Sequence, residues 1–123
     1  MILVDTSIWI DHLRRSDEHL SGLLVGGSVL MHSYVLGELA LGNLKNRAAV
    51  LGSMSDLPQS VVATDDEVLR FIDTHALFGL GIGYIDAHLL AAVMLSPGAT
   101  LWTRDRRLSA ASARLGLAYS QAH

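Results

Sequence analysis

The 123 residues include no cysteine. That removes any argument for a disulfide framework, an oxidising compartment or a thiolate metal site. No apolar run approaches the length needed to cross a bilayer, and Met1 leads straight into strand-like sequence without a charged leader, so the expectation is a soluble, cytoplasmic protein with no membrane partner. Charge is also scarce. Only 17% of residues are charged, and the net charge of −3 does not advertise a nucleic-acid binder, although a cluster of acids can conceal a basic rim. Apolar residues are plentiful instead: half the chain is hydrophobic and the mean hydropathy is +0.37. A chain this short cannot hide that much apolar surface alone, so a partner or a homodimer interface is expected. There is no repeat, linker or low-complexity segment, and residues 1–123 read as one domain.

The organising stretch is Met1-Ile2-Leu3-Val4-Asp5-Thr6-Ser7. Ile2-Leu3-Val4 predicts a short buried strand, and Thr6 and Ser7 can both cap a helix continuing through Leu13. After a polar break at Arg14–Asp17, Glu18–Val25 predicts a short helix closed by Gly26-Gly27. Ser28–Met31 reads as a second strand, and Ser33 caps an apolar helix over Tyr34–Leu41. A further helix runs from Leu44 to about Met54, and Ser60–Ala63 reads as a third strand. Thr64 or Asp65 caps an amphipathic helix to Phe78, with Val68, Leu69, Ile72, Ala76 and Leu77 inward. The glycines at 79, 81 and 83 break it before a helix over Tyr84–Leu95. Thr100–Thr103 is a fourth strand, Asp105 caps a last helix from Arg106 to about Leu115, and Leu117–Tyr119 supplies a possible edge strand. Strands alternating with helices predict an α/β fold: a three-layer α/β/α domain around a central, mainly parallel sheet of four to five strands.

Eight of the twelve acids lie in polar breaks or on solvated faces and need no functional account. The other four do. Asp5 and Asp105 follow strands, where each also suits a helix N-cap. Asp86 lies in the first turn of an apolar helix, a position the helix dipole favours. Glu38 is the only charge between Ser33 and Leu44, in a helix apolar enough to require burial, and a buried carboxylate needs a partner. Parallel strands present their C-terminal ends on one edge, so these four acids can meet there. Four neighbouring carboxylates repel unless protonated or bridged by a cation, and oxygen-only ligands point to Mg²⁺ or Mn²⁺.

Val4–Ile10, the apolar helix carrying Glu38, Tyr84–Ala91 and Leu101–Leu108 together resemble PIN-domain ribonucleases, most of all the VapC-type toxins of prokaryotic toxin–antitoxin pairs. The resemblance spans the chain from first strand to last helix, with the motifs in the family's order. It implies Asp5, Glu38, Asp86 and Asp105 as an acidic quartet around one or two Mg²⁺ or Mn²⁺ ions, with Thr6 and Thr103 helping to hold the acids. It further implies hydrolysis of phosphodiester bonds within single-stranded or looped RNA, homodimers, and a VapB-type antitoxin as partner. Arg14, Arg15, Lys45, Arg47, Arg104, Arg106 and Arg107 would then grip the substrate. Arg106 and Arg107 stand out because cations in a helix's first turn oppose its dipole.

Other signals fail. Gly79–Gly83 lacks the preceding strand and third glycine of a dinucleotide fingerprint, and Asp5-Thr6-Ser7 lacks the second aspartate of a haloacid-dehalogenase-type phosphatase. His12, His19, His32, His75, His88 and His123 form no close ligand pair. Two further readings stay open: a metal-independent nuclease using His32 or His88 as acid and base, and a non-catalytic interaction module whose acids are structural.

Overall fold

The computed structural model describes residues 1–121, so His123 lies outside the described residues. Three strands form the sheet: β1 (Ile2–Val4), β2 (Val29–Leu30) and β3 (Thr100–Trp102), all parallel, in the order β2-β1-β3. The register aligns Leu3 with Leu30 on one side and Leu101 on the other. Ile2, Leu3 and Val4 are all buried although their side chains alternate between faces, so helices cover both sides of the sheet. This is the expected three-layer α/β/α arrangement.

The sheet is narrower in regular strands than its sequence suggests. Ser60–Ala63 is not a strand. The chain there touches β2's continuation through a single bridge between Met31 and Gln59, with Met31 N–H donating to Pro58 O and Ser60 N–H to Met31 O, both at 2.8 Å. The far edge is widened in the same way by one bridge between Leu101 and Ala118. Five segments therefore lie side by side, three of them as strands.

Seven helices complete the described chain: α1 (Thr6–Arg14), α2 (Glu18–Val25), α3 (Ser33–Ala40), α4 (Arg47–Ser55), α5 (Asp65–Thr74), α6 (Tyr84–Met94) and α7 (Arg106–Arg114). α6 is the innermost, since every residue from Ala87 to Val93 is buried. A helix apolar on all sides requires this. Thr64 caps α5 through a reciprocal capping box with Glu67. α5 stops at Thr74 rather than Phe78 because Ala76 takes a left-handed backbone (φ 52°). Leu77 is nevertheless buried, and Leu69 faces solvent. α3 is capped by the His32 ring, whose Nδ1 accepts from Tyr34 N–H at 3.0 Å, rather than by Ser33. Among the described residues, no helix is long and apolar enough to cross a membrane.

Candidate active site

The carboxyl ends of β1 and β3 set the site. Asp5 follows β1 directly, is N-cap of α1, and is buried. Its Oδ1 accepts from Thr6 N–H at 2.8 Å and its Oδ2 from Thr103 Oγ1 at 2.7 Å. The same Thr103 hydroxyl accepts from Asp105 N–H at 3.0 Å. Asp105 in turn is N-cap of α7, receiving Leu108 N–H at 2.9 Å. Thr6 Oγ1 donates to Glu38 Oε1 at 2.7 Å, which ties α1 to α3. Asp86 lies in the first turn of α6 and accepts from Gly83 N–H at 3.1 Å.

The N-cap roles of Asp5 and Asp105 are thus real, and they coexist with a second relationship. Burial pushes the Asp86 carboxyl above its ordinary value. The Gly83 N–H works against that shift, while the charges of Asp5, Asp105 and Glu38 reinforce it. Acids from three other segments therefore act on one carboxyl, and no cation is among the groups that shift it. They are not drawn into a finished ligand shell. Among the described residues, no three acidic or histidine side chains converge closely enough to hold an ion between them, and each of the four carboxylates instead accepts from a protein donor.

One expectation about this quartet is corrected. Glu38 is exposed, not buried: Val35 and Leu39 take the inner face of α3, and Glu38 falls beside it on the outer one. The apolar neighbours that suggested burial lie on other faces of the helix. Its partner is the Thr6 hydroxyl.

The basic residues divide. Arg104 is ion-paired with Asp11 and, at 3.2 Å, with Asp17, so it is a neutralised group outside the quartet. Asp11 and Asp17, two of the eight acids that the sequence leaves to polar breaks or solvated faces, are its partners. Arg14 and Arg15 line a shallow pocket beside this trio, while Lys45 lies across a separate cleft from Arg14. Arg47 donates to Ala40 O at 2.7 Å. Arg106 and Arg107 make no ion pair among the described residues and flank a groove along α7.

Histidine chemistry is placed out of reach. His32 and His88 are both completely buried, so neither can touch a substrate as acid or base. Sequence reasoning missed their setting: Asp65 accepts from Tyr84 Oη at 2.7 Å and lies 3.2 Å from His88 Nε2. The available signal was the i, i+4 spacing of Tyr84 and His88, which puts both on one face of α6.

Comparison with known proteins agrees with this geometry. The PIN domain profile matches residues 2–113. Two relatives, both named Ribonuclease VapC32 and from two strains of Mycobacterium tuberculosis (CDC 1551 / Oshkosh and ATCC 25618 / H37Rv), are each 50% identical over 121 residues, covering 98% of both chains. The acids at the ends of β1 and β3, the acid opening α6, and a match running almost end to end lead to one conclusion: the chain belongs to the PIN-domain family, in its VapC-type branch.

Proposed function

We propose that this protein is a divalent-metal-dependent endoribonuclease, the toxin of a toxin–antitoxin pair. The observation that carries the reading is the placement of Asp5 and Asp105 at the carboxyl ends of β1 and β3, with Glu38 tied to Thr6 and Asp86 opening α6, all three other acids near enough to act on the Asp86 carboxyl; half-identical relatives named as ribonucleases support it. The donor set is hard oxygen throughout, which suits Mg²⁺ or Mn²⁺, and carboxylates coupled this way call for a cation or a proton. Asp5, Glu38, Asp86 and Asp105 would hold the ion. Once bound, it supplies an acidified water and neutralises charge building on the phosphate.

The chain's own part is positional. Thr103 fixes the plane of the Asp5 carboxylate and the start of α7 together, and Thr6 holds Glu38. Such supporting hydroxyls orient ligands that would otherwise swing apart. The substrate is RNA and the antitoxin partner is VapB-type. The site suits an antitoxin arginine, which pairs bidentately with carboxylates and displaces metal and phosphate together.

The test is digestion of total RNA by purified protein with Mg²⁺, with Mn²⁺ and with EDTA, followed by mapping of the cut ends. Cleavage that needs the metal and is lost in Asp86→Asn is expected. Undiminished cleavage in EDTA would overturn the reading.

A further inference from the structure

Three arginines of α7, Arg106, Arg107 and Arg114, make no ion pair among the described residues. Arg107, Ala110, Ala111 and Arg114 follow one another at i, i+3, i+4 and i+7, so they form a single stripe of the helix. Together with Arg106 and Leu80 they line a groove of about 560 Å³. The two arginines on the stripe are placed differently. A Cβ at Gly81 would fall 2.6 Å from Arg107 Nη1 and 2.8 Å from its Cδ, so that side chain lies directly against the backbone of the loop before α6. Gly81 also has φ 78°, which glycine adopts without strain. Arg114 Nη2 donates to the carbonyls of His75 at 2.6 Å and Ala76 at 3.2 Å, leaving the rest of its guanidinium for a ligand. Arg114 has already given up part of the freedom that binding would otherwise cost it, while Arg107 stays free to turn toward a ligand.

Both walls of this groove lead to the acids. One wall is α7, whose N-cap is Asp105. The other is Leu80, three residues before Gly83, whose N–H bonds Asp86. Two helical turns separate Arg107 from Arg114, about 10 Å along the axis, and only alanines stand between them on the stripe. We infer that this groove is a single-stranded RNA subsite, in which Arg107 and Arg114 hold two backbone phosphates on one side of the cut while the intervening nucleotide lies over Ala110 and against Leu80. The assignment rests on the ribonuclease reading above for its choice of ligand. Guanidiniums suit phosphate oxygens, a small-residue floor admits the sugar, and a leucine wall offers an apolar surface to a base.

The experiment has a binding arm and a cleavage arm. Binding of a fluorescent single-stranded oligoribonucleotide is followed by anisotropy in Ca²⁺, an ion that carboxylates also bind. It is repeated over a range of salt for wild type, Arg107→Gln, Arg107→Lys and Arg107→Gln/Arg114→Gln. Arg107 makes no hydrogen bond among the described residues, so its substitution should spare the fold even if that of Arg114 does not. We expect Arg107→Gln to weaken binding roughly tenfold, with Arg107→Lys between it and wild type. The logarithmic salt slope should flatten by about 0.7 for each phosphate that is no longer neutralised. In the cleavage arm the defect should appear in KM while kcat is kept. RNA binding with unchanged affinity and slope in Arg107→Gln, no RNA binding by wild type, or equal Arg107-dependent capture of polyglutamate would each overturn the subsite. Arg107-dependent binding without any cleavage would uphold the subsite and sink the nuclease reading instead.

Discussion

The hydroxyl of Thr103 donates to Asp5 Oδ2 at 2.7 Å across 98 positions of sequence, and accepts the N–H of Asp105 at 3.0 Å. One side chain thus joins the ends of two strands and the start of α7, and it fixes two of the four acids relative to each other. Thr103→Val keeps the shape and removes both bonds. We expect it to lower ribonuclease activity about 10- to 100-fold and stability by about 1 kcal/mol, with Thr103→Ser restoring most of both. Assays of cleavage and urea melts on the two variants check this; equal activity in Thr103→Val and wild type would remove Thr103 from the site.

Asp86 carries a carboxyl shifted upward by burial and by three neighbouring acids. A carboxyl whose folded pKa exceeds its unfolded one binds its proton more tightly when folded, so its ionised form weighs against the fold at neutral pH and the effect is relieved as pH falls toward the raised pKa. Asp86→Asn should therefore abolish cleavage while keeping or raising the metal-free melting temperature at pH 7. An active variant, or one that melts well below wild type, contradicts this.

Divalent cations should stabilise the folded chain by mass action, because the unfolded chain presents no assembled site. The melting temperature is expected to climb with Mg²⁺ or Mn²⁺ concentration in wild type and much less in Asp5→Asn. Identical shifts in both proteins would place the ions elsewhere.

Acid should loosen the fold through His32. Burial, and secondarily the charge of His88, pulls its pKa from 6.5 to about 4. Above pH 6.5 the ring is neutral in both states and contributes no pH dependence. Below that the unfolded chain takes up a proton that the folded one refuses, and stability falls by about 1.4 kcal/mol per pH unit until the folded pKa is reached. His32→Asn retains an acceptor for Tyr34 N–H and cannot titrate. Denaturant melts between pH 7 and pH 4 should show a flatter decline in the variant, by close to one proton; parallel curves would mean the ring titrates normally.

The most local signals were the most legible. The run from Ile2 to Asp5, the turn from Thr103 into the Asp105 cap, and the apolar helix opening with Tyr84-Ile85-Asp86 each carry their own strand or cap chemistry within a few residues, and all three form as read. What failed depends on the rest of the molecule. Glu38 looked buried because its helix is apolar on average, yet only Val35 and Leu39 of that helix are buried, and Leu36 is partly so. Ala76 and Leu77 extend the inward sequence pattern of α5, but the helix ends at Thr74; Ala76, itself left-handed, is exposed, and only Leu77 is buried. Ser60–Ala63 has strand-like composition, but its neighbour offers only one bridging residue. Arg104 read as a free cation because Asp11 and Asp17 are far from it in sequence.

Apolar surface remains on the folded chain, as the composition leads one to expect. Val25, at the end of α2, is 91% exposed and Leu41, just past α3, is 90% exposed. Between α1, α2 and α4 runs a cleft lined by Trp9, Leu13, Leu24, Val50, Met54 and Leu57. Isolated exposed leucines need no explanation, but a continuous cleft with exposed apolar residues on neighbouring elements does. A symmetric homodimer covers such a surface on both copies with one interface. We therefore expect light scattering to report a dimer at micromolar concentration. Leu24→Glu, which puts a charge at the cleft without touching the acids, should shift it to monomer. Because no quartet acid lines the cleft, the monomeric variant should still raise its melting temperature with Mg²⁺, and this separates a broken interface from a broken fold. A wild-type chain that is monomeric at every concentration, or a Leu24→Glu variant that dimerises as tightly as wild type, would show that this cleft is not where two copies meet.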